Sequence, residues 1–248
     1  MKLKKQYICT VLLILTLGVV SSGFASDKIL SRWSKTNHYE NDLGNELWIT
    51  ATYYASEYVE ALVQSEAEKN LWTADEAEQY KYQLLKTLNL TEYIPIFIGI
   101  DNRGPSMHMA PFSDHITLWV GKKKLQPVDY DKRFNFKLQG KRDGFIYFPR
   151  YDEKGKPVLQ GVKSIRLAIN GNVSPITMGK TIDYIWDVVD DNPEKLYTGK
   201  AAARLELDRL IKRLEKLNDQ KKELEGKLAE VESELQQVQK RVEELQRQ

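Results

Sequence analysis

Two histidines and an aspartate stand close together in the segment MHMAPFSDH, as His108, Asp114 and His115. Neutral imidazoles and a carboxylate are ordinary ligands of a zinc-like ion, provided that they converge at about 2 Å from one point. Spacing along a loop does not establish such convergence, and the third histidine, His38, is remote in sequence. Loop histidines are ordinarily solvated, so the expectation is no bound metal and no cofactor. A metal-dependent hydrolase using His108 and His115 stands as the alternative. The chain contains neither a nucleophile elbow nor a glycine-rich phosphate loop. Its one cysteine, Cys9, lies at the start of an apolar leader, too early for a lipid-acylation site, and no other thiol exists to serve as nucleophile, metal ligand or disulfide partner. We therefore expect a protein that is not an enzyme.

Other groups of residues suggest binding. Lys122-Lys123-Lys124 could attract phosphate through counterion release. In the context VGKKKLQP, however, the lysines fit a hairpin turn whose charges keep a sheet end soluble. Trp119, Tyr147, Tyr151 and Trp186 would serve a glycan-binding module if they lined one sheet face, although aromatic residues in strands usually belong to the core. Removing Lys2, Lys4 and Lys5 of the leader from the 37 basic residues leaves 34 against 35 acidic ones. No global basic field remains, and nucleic acid is not expected as a partner.

The clearest pattern lies near the C-terminus. Leu207, Leu210, Leu214, Leu217, Lys221, Leu224, Leu228, Val231, Leu235, Val238, Val242 and Leu245 step by three and four without a slip. Such a 3.5-residue repeat is the seam of a coiled coil, in which alternate members take the a and d positions. With Leu207 at a, the seam runs along a helix over residues 205–247, roughly 65 Å long. Burying each leucine is worth about 1.5–3 kcal/mol, so a partner helix is expected. In a parallel pair the flanking positions give one attractive contact, Lys227 with Glu232, and no like-charge clash. Lys221 at an a position reaches solvent most easily from a two-stranded core, whereas Val231 and Val238 at d favour higher states. The expected partner is the chain itself, as a dimer ahead of a trimer and with helix orientation open, or else another coiled-coil protein. Gly226 falls on the outward face, so a folded-back hairpin is not expected.

These positions need elements to hold them. Residues 1–25 read as a signal peptide: a lysine-bearing start, an apolar stretch over Tyr7 to Val20, and small residues before a cleavage after Ala25. The chain is thus expected to be secreted or periplasmic, touching membrane only through an uncleaved leader. Residues 26–45 read as a polar lead-in. Residues 46–190 form a β-rich globular domain with a two-helix insertion at about 56–90. Asp190 to Gly199 supplies turn residues, with a linker over 191–199, and 200–248, lacking proline and aromatics, is the coiled coil.

Within the domain, ELWITATYYA (46–55) reads as a strand. Tyr58, Val59, Leu62 and Val63 mark a first helix. Thr73-Ala74-Asp75-Glu76 is a capping box that opens a second, with Ala77, Tyr80, Leu84, Leu85 and Leu88 as its apolar stripe. The insertion is expected on one edge of the sheet. Strands are expected at YIPIFIGI (93–100), ending in the turn DNRGP, and then at ITLWVG, FNFKL (134–138), GFIYFPRY and SIRLAIN. TIDYIWDVV (181–189) fits both periods, and its β-branched and aromatic content favours a strand. The expected class is α+β: an antiparallel β-sandwich-like domain with a two-helix insertion, followed by a long C-terminal coiled-coil helix. Functionally this describes an exported, multivalent binding or assembly module of the bacterial cell envelope.

Overall fold

The computed structural model describes residues 20–246, so the predicted signal peptide lies outside the described residues except for its end. The chain divides into two compact units, one ending at Thr198 and the other beginning at Gly199. Among the described residues no helix is long and apolar enough to cross a membrane.

The first unit is mixed α and β. Helix α1 (Val20–Trp33) leads into strands β1 (Ser34–Glu40) and β2 (Glu46–Tyr53). Helices α2 (Ser56–Asn70) and α3 (Ala74–Leu88) follow, then β3 (Tyr93–Met107), β4 (Ile116–Val120), β5 (Lys123–Leu125) and β6 (Asp129–Tyr130). Strands β7 (Leu138–Pro149), β8 (Ser164–Ile169) and β9 (Ile182–Asp187) complete it. Strand pairing is antiparallel throughout, in a five-stranded sheet of order β1-β2-β3-β7-β6 and a four-stranded sheet of order β5-β4-β8-β9.

Alternation explains most of these strands. In β9, Ile182, Tyr184 and Trp186 are buried while the residues between them are exposed, the period-two signature that separates a strand from a helix. Strand β4 likewise buries Ile116, Leu118 and Val120. A single hydrophobic cluster takes in Ile49, Ile96, Ile98 and Ile146 of the larger sheet and Leu118, Leu167, Tyr184 and Trp186 of the smaller. Two polar atoms at this core are satisfied by the backbone. The Tyr184 hydroxyl donates to the Ile49 carbonyl at 2.6 Å, and the Trp186 indole N–H donates to the Trp33 carbonyl at 2.8 Å.

The helices follow from their caps and stripes. The Thr73 hydroxyl accepts the Glu76 backbone N–H at 3.4 Å, and the Glu76 carboxylate accepts the Thr73 N–H at 2.7 Å, the reciprocal capping box expected from the sequence. Leu85 and Leu88 are buried and Ala77, Tyr80 and Leu84 half-buried, while α2 buries Val59 and Ala61. The insertion does not sit on an edge of the sheet: β2 and β3, which it joins, pair directly from Leu47 with Asn102 to Tyr53 with Ile96, and β1 lies outside β2. The two helices leave and return at the same end of adjacent strands.

Three local expectations change. The stretch read as a polar lead-in contains the end of α1 and all of β1, an edge strand whose polar sequence, SKTNHYE, reflects exposure on most of its positions. FNFKL is not a strand: Lys132–Asn135 forms a single 3-10 turn, capped by the Asp131 carboxylate accepting the Arg133 N–H at 2.9 Å. Phe134 and Phe136 would share one face of a strand, yet Phe134 is buried against Phe112 and Phe136 is 66% exposed. Finally, DNRGP does not end its strand. Buried Asn102 donates its amide to the carbonyls of Pro105 at 2.8 Å and Leu138 at 3.2 Å, and accepts the Gly104 N–H at 3.1 Å. This side chain replaces the lost ladder bonds across a register shift, so β3 continues to Met107. A Cβ on Gly104 would lie 2.6 Å from Ile176 Cδ1 and 3.1 Å from Asn45 Cβ, so a side chain there would require Ile176 to shift.

Strand borders are guarded by side chains. Lys35 and Asn37 of β1 donate to the backbone carbonyls of Ile185 and Asp183 on the outer strand of the smaller sheet. Strands β5 and β6 at the remaining borders are only three and two residues long.

The second unit is one helix, α4 (Gly199–Gln246), of 48 residues. Gly199 takes a positive φ of 71°, and nothing in the sequence beyond it breaks the helix.

Candidate functional site

The helix α4 displays the repeat read from the sequence as an unbroken exposed seam. Its eleven apolar members, from Leu207 to Leu245, are each between 47% and 64% exposed. Ion pairs link residues three or four apart along the same helix: Glu206 with Arg209 at 3.0 Å, Glu223 with Lys227 at 2.6 Å and Arg241 with Glu244 at 2.9 Å. Such pairs stabilise an exposed helix weakly. They leave the seam apolar except at Lys221, whose ammonium lies 3.5 Å from Glu225. A shallow groove of about 350 Å³ runs here, between Leu217, Leu224 and Leu228 and past Gln220, Lys221 and Glu225. The arrangement offers no acid, base or nucleophile chemistry.

The histidine segment does not assemble. Phe112–His115 forms one 3-10 turn anchored by Phe112, which stacks on Phe134 with centroids 4.6 Å apart. His108 and Asp114 are exposed, and His115 is half-buried with its Nδ1 lacking a hydrogen-bond partner. His38 is engaged elsewhere, stacked on Trp48 at 4.3 Å and 3.5 Å from Glu46. Among the described residues no group of three or more His, Cys, Asp or Glu is placed to hold a metal ion.

The three lysines sit where β4 turns into β5. Gly121 adopts a positive φ of 59° at this turn, Lys123 lies 3.8 Å from Asp152, and the Lys124 ammonium lies over the Trp119 ring at 4.7 Å. The same indole carries the Arg166 guanidinium at 5.0 Å. The four aromatics considered for glycan stacking are dispersed. Trp186 is buried in the core, Trp119 points to the other face of its sheet, and Tyr147 belongs to the larger sheet, donating to the Thr87 carbonyl at 3.3 Å. Tyr151 is exposed beyond the end of β7.

One feature of the first unit has no signature in the sequence. A cleft of about 260 Å³ opens where the end of α1, the start of α2 and the chain after β9 meet, lined by Arg32, Lys35, Glu57, Asp187 and Asp190 above Trp33 and Trp186. Its rim is tied by Asp191. One carboxylate oxygen accepts the Ser56 backbone N–H at 2.8 Å and hydroxyl at 3.1 Å, and the other accepts the Tyr53 hydroxyl at 2.5 Å. Asp191 thus caps α2 from across the fold, in place of Ala55, which has no side chain to do so. Burial and the nearby Asp191 charge push the Tyr53 phenol well above its usual range. Arg32 contacts Glu57, which also accepts the Trp33 indole N–H at 3.2 Å. These residues come from three separate stretches of chain, and no local spacing links them.

Comparison of the chain with protein-family models, with curated proteins and with solved structures gives no match.

Proposed function

We propose that this is an exported binding or assembly module of the bacterial envelope, rather than an enzyme, and that its heads are gathered by a coiled coil formed between copies of α4. The observation that carries this reading is the continuous exposed seam from Leu207 to Leu245. An apolar stripe of this length, repeated at 3.5 residues, is the pattern that supercoiling buries. A second copy of the chain is the simplest partner, because it supplies an identical repeat and meets no like charge across the flanking positions.

In the head, the two antiparallel sheets are read as the halves of a β-sandwich, a view supported by their alternating burial and their shared hydrophobic cluster. Export rests on the composition of residues 1–25. The mechanism is avidity. Joining heads makes the second engagement intramolecular, and a weak contact per head becomes a durable one without any new contact surface.

Sedimentation equilibrium tests the reading, on residues 26–248 beside a version ending at Gly199. The longer chain is expected to sediment as two associated copies and the shorter as a folded monomer. Two monomers would overturn the proposal.

A further inference from the structure

We infer that Lys221 sets both the number of chains and their register in the assembly, an inference that rests on the coiled-coil reading of α4. It is the single polar member of a twelve-residue seam, and its layer lies close to the middle of that seam.

Two heptads of the seam argue for more than two chains, while Val242 at a with Leu245 at d favours a pair. After Lys221 the pairs Leu228 with Val231 and Leu235 with Val238 place leucine at a and a β-branched residue at d, the pattern that draws parallel helices into larger bundles. Before it, Leu207 with Leu210 and Leu214 with Leu217 carry leucine at both positions and express no preference for pairs. One lysine opposes these layers. In a two-stranded core an a side chain lies along the border and its ammonium reaches water, helped here by Glu225 at 3.5 Å on the same helix and Gln220 beside it. In a core of three or more chains the same ammonium is enclosed among apolar side chains, and burying that charge costs more than a β-branched d layer gains.

Register follows from the same residue. In a parallel pair without stagger both lysines share one layer, and every other layer stays apolar. A slip of one heptad sets each lysine against a leucine, Leu214 or Leu228, and spoils two layers instead of one. An antiparallel pair likewise separates the lysines into two layers. Parallel, in-register pairing is the arrangement that confines the charge.

The test compares the full-length chain with its Lys221→Leu and Lys221→Arg variants by sedimentation equilibrium. A version ending at Gly199 serves as the control for association through any other part. In the three full-length proteins, a spin label on Gly226→Cys, made in a Cys9→Ser background, reports register, since Gly226 faces outward where a Cβ meets nothing. The wild type and Lys221→Arg are expected as pairs with one narrow interlabel distance. Lys221→Leu is expected to associate at least about tenfold more tightly, in line with a buried leucine, and to shift to three or more chains or to several distances. If Lys221→Leu stays a pair with the same narrow distance, the role of Lys221 is refuted while the coiled coil stands. If the wild type itself does not associate through α4, the coiled-coil reading falls and this inference with it.

Discussion

Leu118 and Leu214 are the same side chain in opposite surroundings: the first has no exposed surface, the second keeps 59% of its own. The contrast extends over the two units to which they belong. In the first unit, strand alternation sends Ile49, Ile96, Leu118 and Trp186 into one cluster, and the buried Tyr184 hydroxyl and Trp186 indole find backbone partners. In the helix of Gly199–Gln246, eleven apolar side chains share one line and none is buried. The first unit gathers its apolar side chains into a cluster of its own, and the helix leaves its apolar line exposed. A core closed within one chain depends on that chain alone, whereas a seam depends on concentration and on what it meets.

The sharpest way to break this contrast is to charge the seam. Leu217→Asp combined with Leu224→Asp is expected to abolish association altogether while the melting of the first unit stays unchanged. Sedimentation and tryptophan fluorescence separate the two readouts, because every tryptophan lies before Gly199. Loss of head folding in this variant would show that the units are not independent.

A reciprocal change acts on the other side. Trp186→Ala removes one of the largest fully buried side chains together with its bond to the Trp33 carbonyl, and is expected to cost about 3–5 kcal/mol of head stability in urea titration. Association through the helix should persist in the isolated Gly199–Gln248 peptide and in any variant whose head still folds.

A smaller difference lies in alkaline sensitivity. Burial raises the phenols of Tyr53, Tyr54 and Tyr184, so the folded head binds those protons more firmly than the unfolded chain does. Their contribution to stability is full below the ordinary tyrosine range near pH 10 and is lost as pH climbs above it. The helix has no tyrosine and escapes this loss. Ultraviolet titration should show these phenols ionising only as the head unfolds. Ionisation near pH 10 with the fold intact would show that they are not held as described.

Legibility in the sequence followed the same division. Where one period governs, as in the heptads of residues 207–245, the capping box at Thr73 or the alternation of SIRLAIN, the element is recognisable from its residues alone. Strand β1 was not, because an edge strand exposed on most positions shows no apolar alternation and SKTNHYE looks like any polar segment. FNFKL misled for the opposite reason: its two phenylalanines imitate a strand face, while Asp131 and Arg133 build a turn through side-chain bonds that composition does not reveal. The continuation of β3 past Asn102 depends on Leu138, distant in sequence, to accept the Asn102 amide. The cleft rimmed by Asp191 was invisible for the same reason, as a carboxylate capping a helix that begins at Ser56 is a contact across the whole domain.

The side-chain bonds from Lys35 and Asn37 to the carbonyls of Ile185 and Asp183 bear on the crowding that the proposed avidity would bring. Gathering many β-rich domains in a small volume invites them to join sheet to sheet and grow into fibrils. Here the acceptors that an incoming extended segment would need on that outer strand are already taken by a lysine and an asparagine. That border is thereby blunted against sheet extension at those two carbonyls, by side chains of the same chain.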